Sequence, residues 1–162
     1  MNFRVVQRIL GLMLMIFSLT MLPPVAVSFL YADGHWEPFL VSTLIIAAIG
    51  FLLWLPARGT RQDLRLRDGF LIVSVFWVFL GLAGATPLYL SDVPDLSFTD
   101  AVFEAVSGFT TTGATVIVGL DELPKSILYY RQQIQWFGGM GIIVLAVAIL
   151  PILGIGGMSL YK

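Results

Sequence analysis

Four apolar runs, Ile9 to Tyr31, Phe39 to Leu55, Phe70 to Leu90 and Ile127 to Leu153, constrain this chain more than any other feature. Each is near the ~20 residues a helix needs to cross roughly 30 Å of hydrocarbon, where every backbone N–H and C=O must be satisfied within the protein. Helices meet that condition locally and open strands do not, so the runs predict an all-α integral membrane protein. Composition agrees: 58% of residues are hydrophobic and 12% charged, against about a quarter charged in soluble domains. Pro23 and Pro24 interrupt the first run and predict a bend there, with the freed carbonyls satisfied by neighbours or local backbone. Arg4 and Arg8 ahead of that run imitate a signal peptide, but the stretch is too long for one and lacks a small-x-small cleavage site. It is taken as a retained helix.

Several function classes fall away on residue content. A net charge of −1, with no basic patch of the kind phosphate binding needs, argues against nucleic acid, which demands clustered Lys and Arg on an accessible face. Without cysteine there is no disulfide framework, thiolate nucleophile or Cys metal site. His35 sits beside Asp33 and Glu37 in what reads as a solvated loop and is given no role. An intramembrane enzyme needs a nucleophile or base at depth. No His, Ser–Lys pair or paired aspartates can be grouped inside the runs, so the chain is read as not an enzyme, with no cofactor.

Basic residues favour the cytoplasmic side of a membrane. With the N-terminus inside, Arg4, Arg8, Arg58, Arg61, Arg65, Arg67 and Lys162 are cytoplasmic, and only Lys125 and Arg131 fall outside. Both chain ends then face the cytoplasm. The same topology places Asp33, Glu37, Asp92, Asp95, Asp100, Asp121 and Glu122 at the outer face. Solvated loop residues are the plainer reading of that charge, and a cation-gathering vestibule is the secondary one. The basic loop after the second run could touch anionic lipid or a cytosolic partner, although topology already accounts for it.

Between the third and fourth runs, Ser91 to Ser126 is too long for a turn and too polar for a span, yet it holds the apolar stretch Phe98 to Phe109. Ser97, three residues before Asp100, suits a helix start, and Gly108 suits a stop. Such a helix is about 15 Å long and enters the membrane without crossing it. The return path Thr110 to Val116 has carbonyls that lipid would penalise by several kcal/mol each, so it must line an aqueous path. The helix C-terminus presents partial negative charge to that path and favours a cation. Backbone carbonyls and threonine hydroxyls can replace the hydration shell of potassium, with a glycine where the chain turns in a way larger residues resist. Thr111-Thr112-Gly113 meets those needs.

The run Ser107-Gly108-Phe109-Thr110-Thr111-Thr112-Gly113-Ala114-Thr115-Val116 resembles the first pore loop of the bacterial Trk-type potassium uptake proteins. Gln135 to Val144 and Ile149 to Met158 resemble the helix that follows in that family. The resemblance implies two N-terminal transmembrane helices followed by one helix–pore loop–helix unit of a potassium-channel-like fold. On this reading, residues 1–57 hold the two helices, 58–69 a basic cytoplasmic loop and 70–162 the repeat, with a pore helix at about 98–108 and a filter at 110–115. Thr111, Thr112, Gly113 and Ala114 would bind potassium through their carbonyls, flanked by Thr110 and Thr115, with no other metal. The family resemblance further implies uptake across the bacterial inner membrane, four repeats around one pore, a dimer, and a cytosolic nucleotide-binding regulatory subunit. Proton- or sodium-coupled symport is proposed for some members. One repeat supplies a quarter of a filter, so the chain is expected to be a piece of a longer protein, with a homotetrameric channel subunit as the alternative. A pore-less membrane scaffold is a further alternative.

Other polar residues have more local readings. Glu104 would lie within the membrane, where an ionisable group is a functional candidate, and is read as an acceptor for backbone or hydroxyl groups behind the filter. Arg131 is expected to snorkel to the outer interface, with Tyr129, Tyr130 and Trp136 in an aromatic belt. Gly138, Gly139 and Gly141 suggest close helix packing, and a hinge involving Pro151, Gly154, Gly156 and Gly157 is the alternative.

Overall fold

The computed structural model describes residues 3–59 and 66–149. Six helices follow one another: α1 (Phe3–Leu19), α2 (Leu22–Tyr31), α3 (Glu37–Trp54), α4 (Leu66–Tyr89), α5 (Phe98–Phe109) and α6 (Lys125–Ile149). Short 3₁₀ turns follow α3 at Leu55–Ala57 and precede α6 at Leu120–Glu122. There is no strand among the described residues, as the apolar runs predict. Among the described residues, three stretches are long and apolar enough to cross a membrane: Phe3–Tyr31, Glu37–Ala57 and Leu71–Tyr89. The described part of the fourth run is helical to Ile149 within the 25-residue α6, which is about 37 Å long at 1.5 Å per residue. Arg61, Arg65, Lys162 and the hinge residues Pro151, Gly154, Gly156 and Gly157 lie outside the described residues, as does the run 150–158.

The expected bend in the first run falls at Thr20 and Met21, with the prolines opening α2. Pro24 has no N–H to offer the carbonyl four residues earlier, which is that of Thr20. The Gln133 side chain on α6 donates to that carbonyl instead. A defect in one helix thus becomes a tether to another, 113 residues away in sequence.

α1 and α3 run antiparallel in close contact. A methyl group on Gly11 would lie 2.6 Å from the Gly50 carbonyl oxygen, and one on Gly50 would lie 2.8 Å from the Gly11 oxygen. Gln7 near the start of α1 donates to the Leu53 carbonyl near the end of α3 at 3.0 Å. This pairing gathers Arg4, Arg8 and Arg58 at one end of the bundle. At the opposite end, His35, Glu37 and Asp92 line a common cleft of about 270 Å³.

Asp33 organises that second end. It accepts from the Ser28 hydroxyl and the His35 amide through Oδ1, and from the Ser126 amide at the start of α6 through Oδ2. Burial pushes its carboxyl up, but the Ser28, His35 and Ser126 hydrogen bonds outweigh that and lower it from 3.8 to about 2. The core lies between these ends, built from Leu14, Met21, Phe39, Leu88, Phe109, Ile127 and Ile134. Much of the apolar surface of α3, including Leu44 and Leu52, stays exposed, as expected of a helix whose solvent is lipid.

Candidate functional site

α5 forms where the sequence places a cap. The Ser97 side chain accepts from the Asp100 amide at 3.2 Å and donates to the Asp100 carboxylate at 2.7 Å. These bonds satisfy one orphan donor and put a negative charge in the first turn, where the helix dipole favours it. Twelve residues give a length of about 18 Å, a little over half the hydrocarbon thickness. The C-terminal Phe109 packs edge-on against Phe17 at 5.8 Å, and Phe17 is midway along the 29-residue span Phe3–Tyr31. The helix therefore ends level with the middle of that span.

Gly108 does not stop the helix. It lies inside α5, where a methyl group would meet Ile134 at 2.6 Å, so its role is close packing on α6. The helix ends one residue later, at Phe109, and a turn closes it. Thr112 N–H donates to the Ser107 carbonyl at 3.0 Å and Thr111 N–H to the Gly108 carbonyl at 2.9 Å, the paired bonds of a Schellman turn. Its left-handed position is filled by Thr111, at φ +56°, where glycine is usual. A β-branched residue there is strained.

A second left-handed residue follows at Gly113, with φ +73°. A side chain at Gly113 would meet nothing within 4 Å, so glycine is needed for backbone conformation and not for space. From Thr110 to Val116 every residue is exposed. The strip returns alongside α5, since Ser107 hydroxyl donates to the Ala114 carbonyl at 2.7 Å, and Thr115 and Val116 bond Glu104, one turn nearer the start of α5.

The expected site residues are thus contiguous on one exposed strip, but they are not equivalent. The Ala114 carbonyl is engaged by Ser107, and the Thr110 carbonyl accepts the Thr111 hydroxyl at 2.7 Å. Among the described residues, no hydrogen bond within the loop ends on the carbonyls of Thr111, Thr112 or Gly113. Thr110 and Thr112 hydroxyls lie 2.8 Å apart. The Thr115 hydroxyl turns away from the strip, toward Glu104 at 2.5 Å.

Behind the strip is a buried ion pair. Arg131 donates to Glu104 Oε2 from Nε at 3.1 Å and from Nη2 at 2.9 Å, and the two residues are 7% and 3% exposed. Arg131 therefore does not snorkel to an interface: a charged acceptor within the protein holds it inside. Glu104 does accept hydroxyl and backbone donors behind the strip, as the sequence suggests. Removing either partner alone would leave an uncompensated buried charge, at about 3–5 kcal/mol.

Tyr130 is also not in an aromatic belt. It is fully buried, packs edge-on against Phe39 at 5.3 Å, and donates its hydroxyl to the Gly84 carbonyl at 2.8 Å. Tyr129 and Trp136 remain exposed. In the α6 glycine patch, only Gly138 is forced by packing: a methyl group there would lie 2.0 Å from the Phe109 carbonyl oxygen. At Gly139 the nearest atom would be 3.9 Å away, and at Gly141 3.6 Å. No metal-binding cluster of His, Cys, Asp and Glu occurs among the described residues.

Comparison with known proteins fits this architecture. A family model described as TrkH, cation transport protein, matches residues 36–162. The chain is 61% identical over its full length to the Trk system potassium uptake protein TrkH of Halomonas elongata, covering 34% of that protein. It is 45% identical over 98% of its length to the Trk system potassium uptake protein TrkG of Escherichia coli, covering 33% of that protein. The crystal structure of the potassium transporter TrkH from Vibrio parahaemolyticus superposes with a TM-score of 0.90 at 59% identity, over 98% of this chain and 34% of that one. The chain spans about a third of the length of the relatives it matches.

Proposed function

The chain belongs to the TrkH family of cation transport proteins, and from that premise we propose that it supplies one of four filter segments in a potassium uptake path. Thr111, Thr112, Gly113 and Ala114 form the potassium-binding stretch, with Thr110 and Thr115 flanking it. One observation carries the reading: three consecutive carbonyls, of Thr111, Thr112 and Gly113, are unengaged among the described residues on an exposed strip that follows a helix ending level with the middle of the first apolar span. Carbonyls at that depth need a ligand other than lipid, and the C-terminal end of α5 makes that ligand a cation. The relatives are named as potassium uptake proteins, which selects the cation. Ala114 takes part through the lone pair that Ser107 leaves free.

In this reading the basic end with Arg4, Arg8 and Arg58 is cytoplasmic and the acidic end with Asp33 and Asp92 is outside, in a bacterial inner membrane. Residues 1–57 form the two accessory spans, 58–69 the basic loop, whose last four residues already belong to α4, and 70–162 the first helix–pore loop–helix repeat. The other three filter segments come from further repeats of the same longer protein. A dimer, a nucleotide-binding cytosolic subunit and ion-coupled symport follow from the family resemblance.

The test is a rubidium and sodium uptake measurement on the full-length protein with and without Gly113→Asp. Aspartate at φ +73° strains the backbone and adds a charge beside the free carbonyls. Rubidium uptake should fall by at least about tenfold or lose its preference over sodium, a change of about 1.4 kcal/mol or more in barrier. Unchanged fluxes of both ions would remove the filter assignment.

A further inference from the structure

Glu104 is not part of the exposed strip, yet its carboxylate divides its bonds between two elements. Oε1 accepts from the Thr115 hydroxyl at 2.5 Å and the Val116 amide at 2.7 Å. Oε2 accepts both guanidinium bonds from Arg131 on α6. A carboxylate serving only to neutralise an arginine commonly turns both oxygens to the guanidinium in a parallel fork. Here one oxygen is given wholly to the returning backbone. Thr115 extends the arrangement by accepting from the Ile117 amide at 3.0 Å, so three successive residues at the end of the strip, Thr115, Val116 and Ile117, are fixed through one acidic side chain.

We infer that Glu104 is a positioning residue for cation selection: it sets the path of the return strand past α5, with Arg131 holding the carboxylate in orientation from α6. This rests on the filter reading above. The strip is anchored at its start by the Schellman turn on Ser107 and Gly108 and at its end by Glu104. Discrimination between cations depends on how the carbonyls between those anchors are held. The acceptor on residue 104 matters for selection, whereas the charge matters for pairing with Arg131.

Two double variants separate those roles in the full-length protein. Glu104→Gln with Arg131→Met removes both charges but keeps an oxygen for Thr115 and Val116. Glu104→Leu with Arg131→Met removes the acceptor as well. Folds commonly tolerate apolar replacement of a complete buried pair. Membrane-inserted protein is quantified for each, and rubidium and sodium uptake are measured. The rubidium-to-sodium ratio should fall about tenfold in the leucine double variant, as expected for losing a buried acceptor, and stay within about threefold of the parent in the glutamine one. An unchanged ratio in the leucine variant, or an equal fall in both, overturns the inference.

Thr115→Val leaves the ion pair intact and should lower the ratio in the same direction. If a double variant fails to accumulate in the membrane, Thr115→Val decides alone, and an unchanged ratio overturns the inference. Gly113→Asp run alongside distinguishes the two levels. If that variant changes the fluxes while the leucine double variant does not, only the role of Glu104 is lost; if Gly113→Asp changes nothing, the filter reading itself has failed.

Discussion

Replacing Gly138 by alanine probes the closest approach between α5 and α6. The added methyl group would lie 2.0 Å from the Phe109 carbonyl oxygen, 2.6 Å from its carbon and 2.8 Å from its Cα, whereas ordinary contact begins near 3.4 Å. All three obstacles are backbone, so no rotamer change relieves them. The helices would have to part by about 1.4 Å at the oxygen. Overpacking of that kind costs about 1–3 kcal/mol, partly offset by the ~1 kcal/mol that alanine gains over glycine in a helix. Gly139→Ala makes an internal control, because its methyl group would find nothing nearer than Thr111 Cγ2 at 3.9 Å. It should be neutral or slightly stabilising. Thermal unfolding of the purified full-length protein in detergent should show Gly138→Ala melting several degrees below Gly139→Ala, and rubidium uptake should fall only in the former, since Phe109 precedes the strip. Equal melting temperatures for the two variants would refute the claim that backbone contact at Gly138 sets the spacing of these helices.

Two further outcomes follow from the tethers between distant elements. Asp33 has its carboxyl lowered from 3.8 to about 2, so its contribution to stability is complete above the unfolded value and is lost as pH falls through the folded one. Thermal stability scanned from pH 5 to about pH 2 should therefore fall more steeply in the parent than in Asp33→Asn, and parallel profiles would contradict the tether. Gln133→Leu strands the Thr20 carbonyl at the bend between α1 and α2, but also removes an amide oxygen that has no partner among the described residues. The net loss should be about 1 kcal/mol, read as a lower melting temperature than for Gln132→Leu, on the exposed side of α6.

The residues that the sequence exposed most clearly are those whose behaviour depends on their neighbours along the chain. Ser97 three residues before Asp100 announced the start of α5, and the following turns were apolar enough to enter lipid but too few to cross it. The Thr111-Thr112-Gly113 stretch stands out because glycine and small hydroxyl residues together suit a tight turn with exposed carbonyls. Gly108 shows where such reasoning slipped. A glycine near a helix end suits both a stop and a close approach, and only the position of Ile134 decides for the latter.

Arg131 and Tyr130 show the same limit more strongly. Their types and places near one end of a span fit an interface equally well by sequence. The one available clue was charge pairing, a single acidic residue beyond the first turn of the half-length helix and a single basic residue within the last span. Length, apolarity and charge sign by themselves determined that this chain is helical and suited to lipid, and that it carries a helix too short to cross a bilayer, followed by a glycine-containing return. Tertiary structure alone decided that Glu104 meets Arg131 across 27 residues, that Gln133 answers the carbonyl freed by Pro24, and that Gly138 is the obligatory glycine on α6. The physical reason is range: hydropathy, caps and turn chemistry act within a few residues, whereas a buried polar group is satisfied by whatever atom packing brings within about 3 Å, and that atom has no fixed distance along the chain.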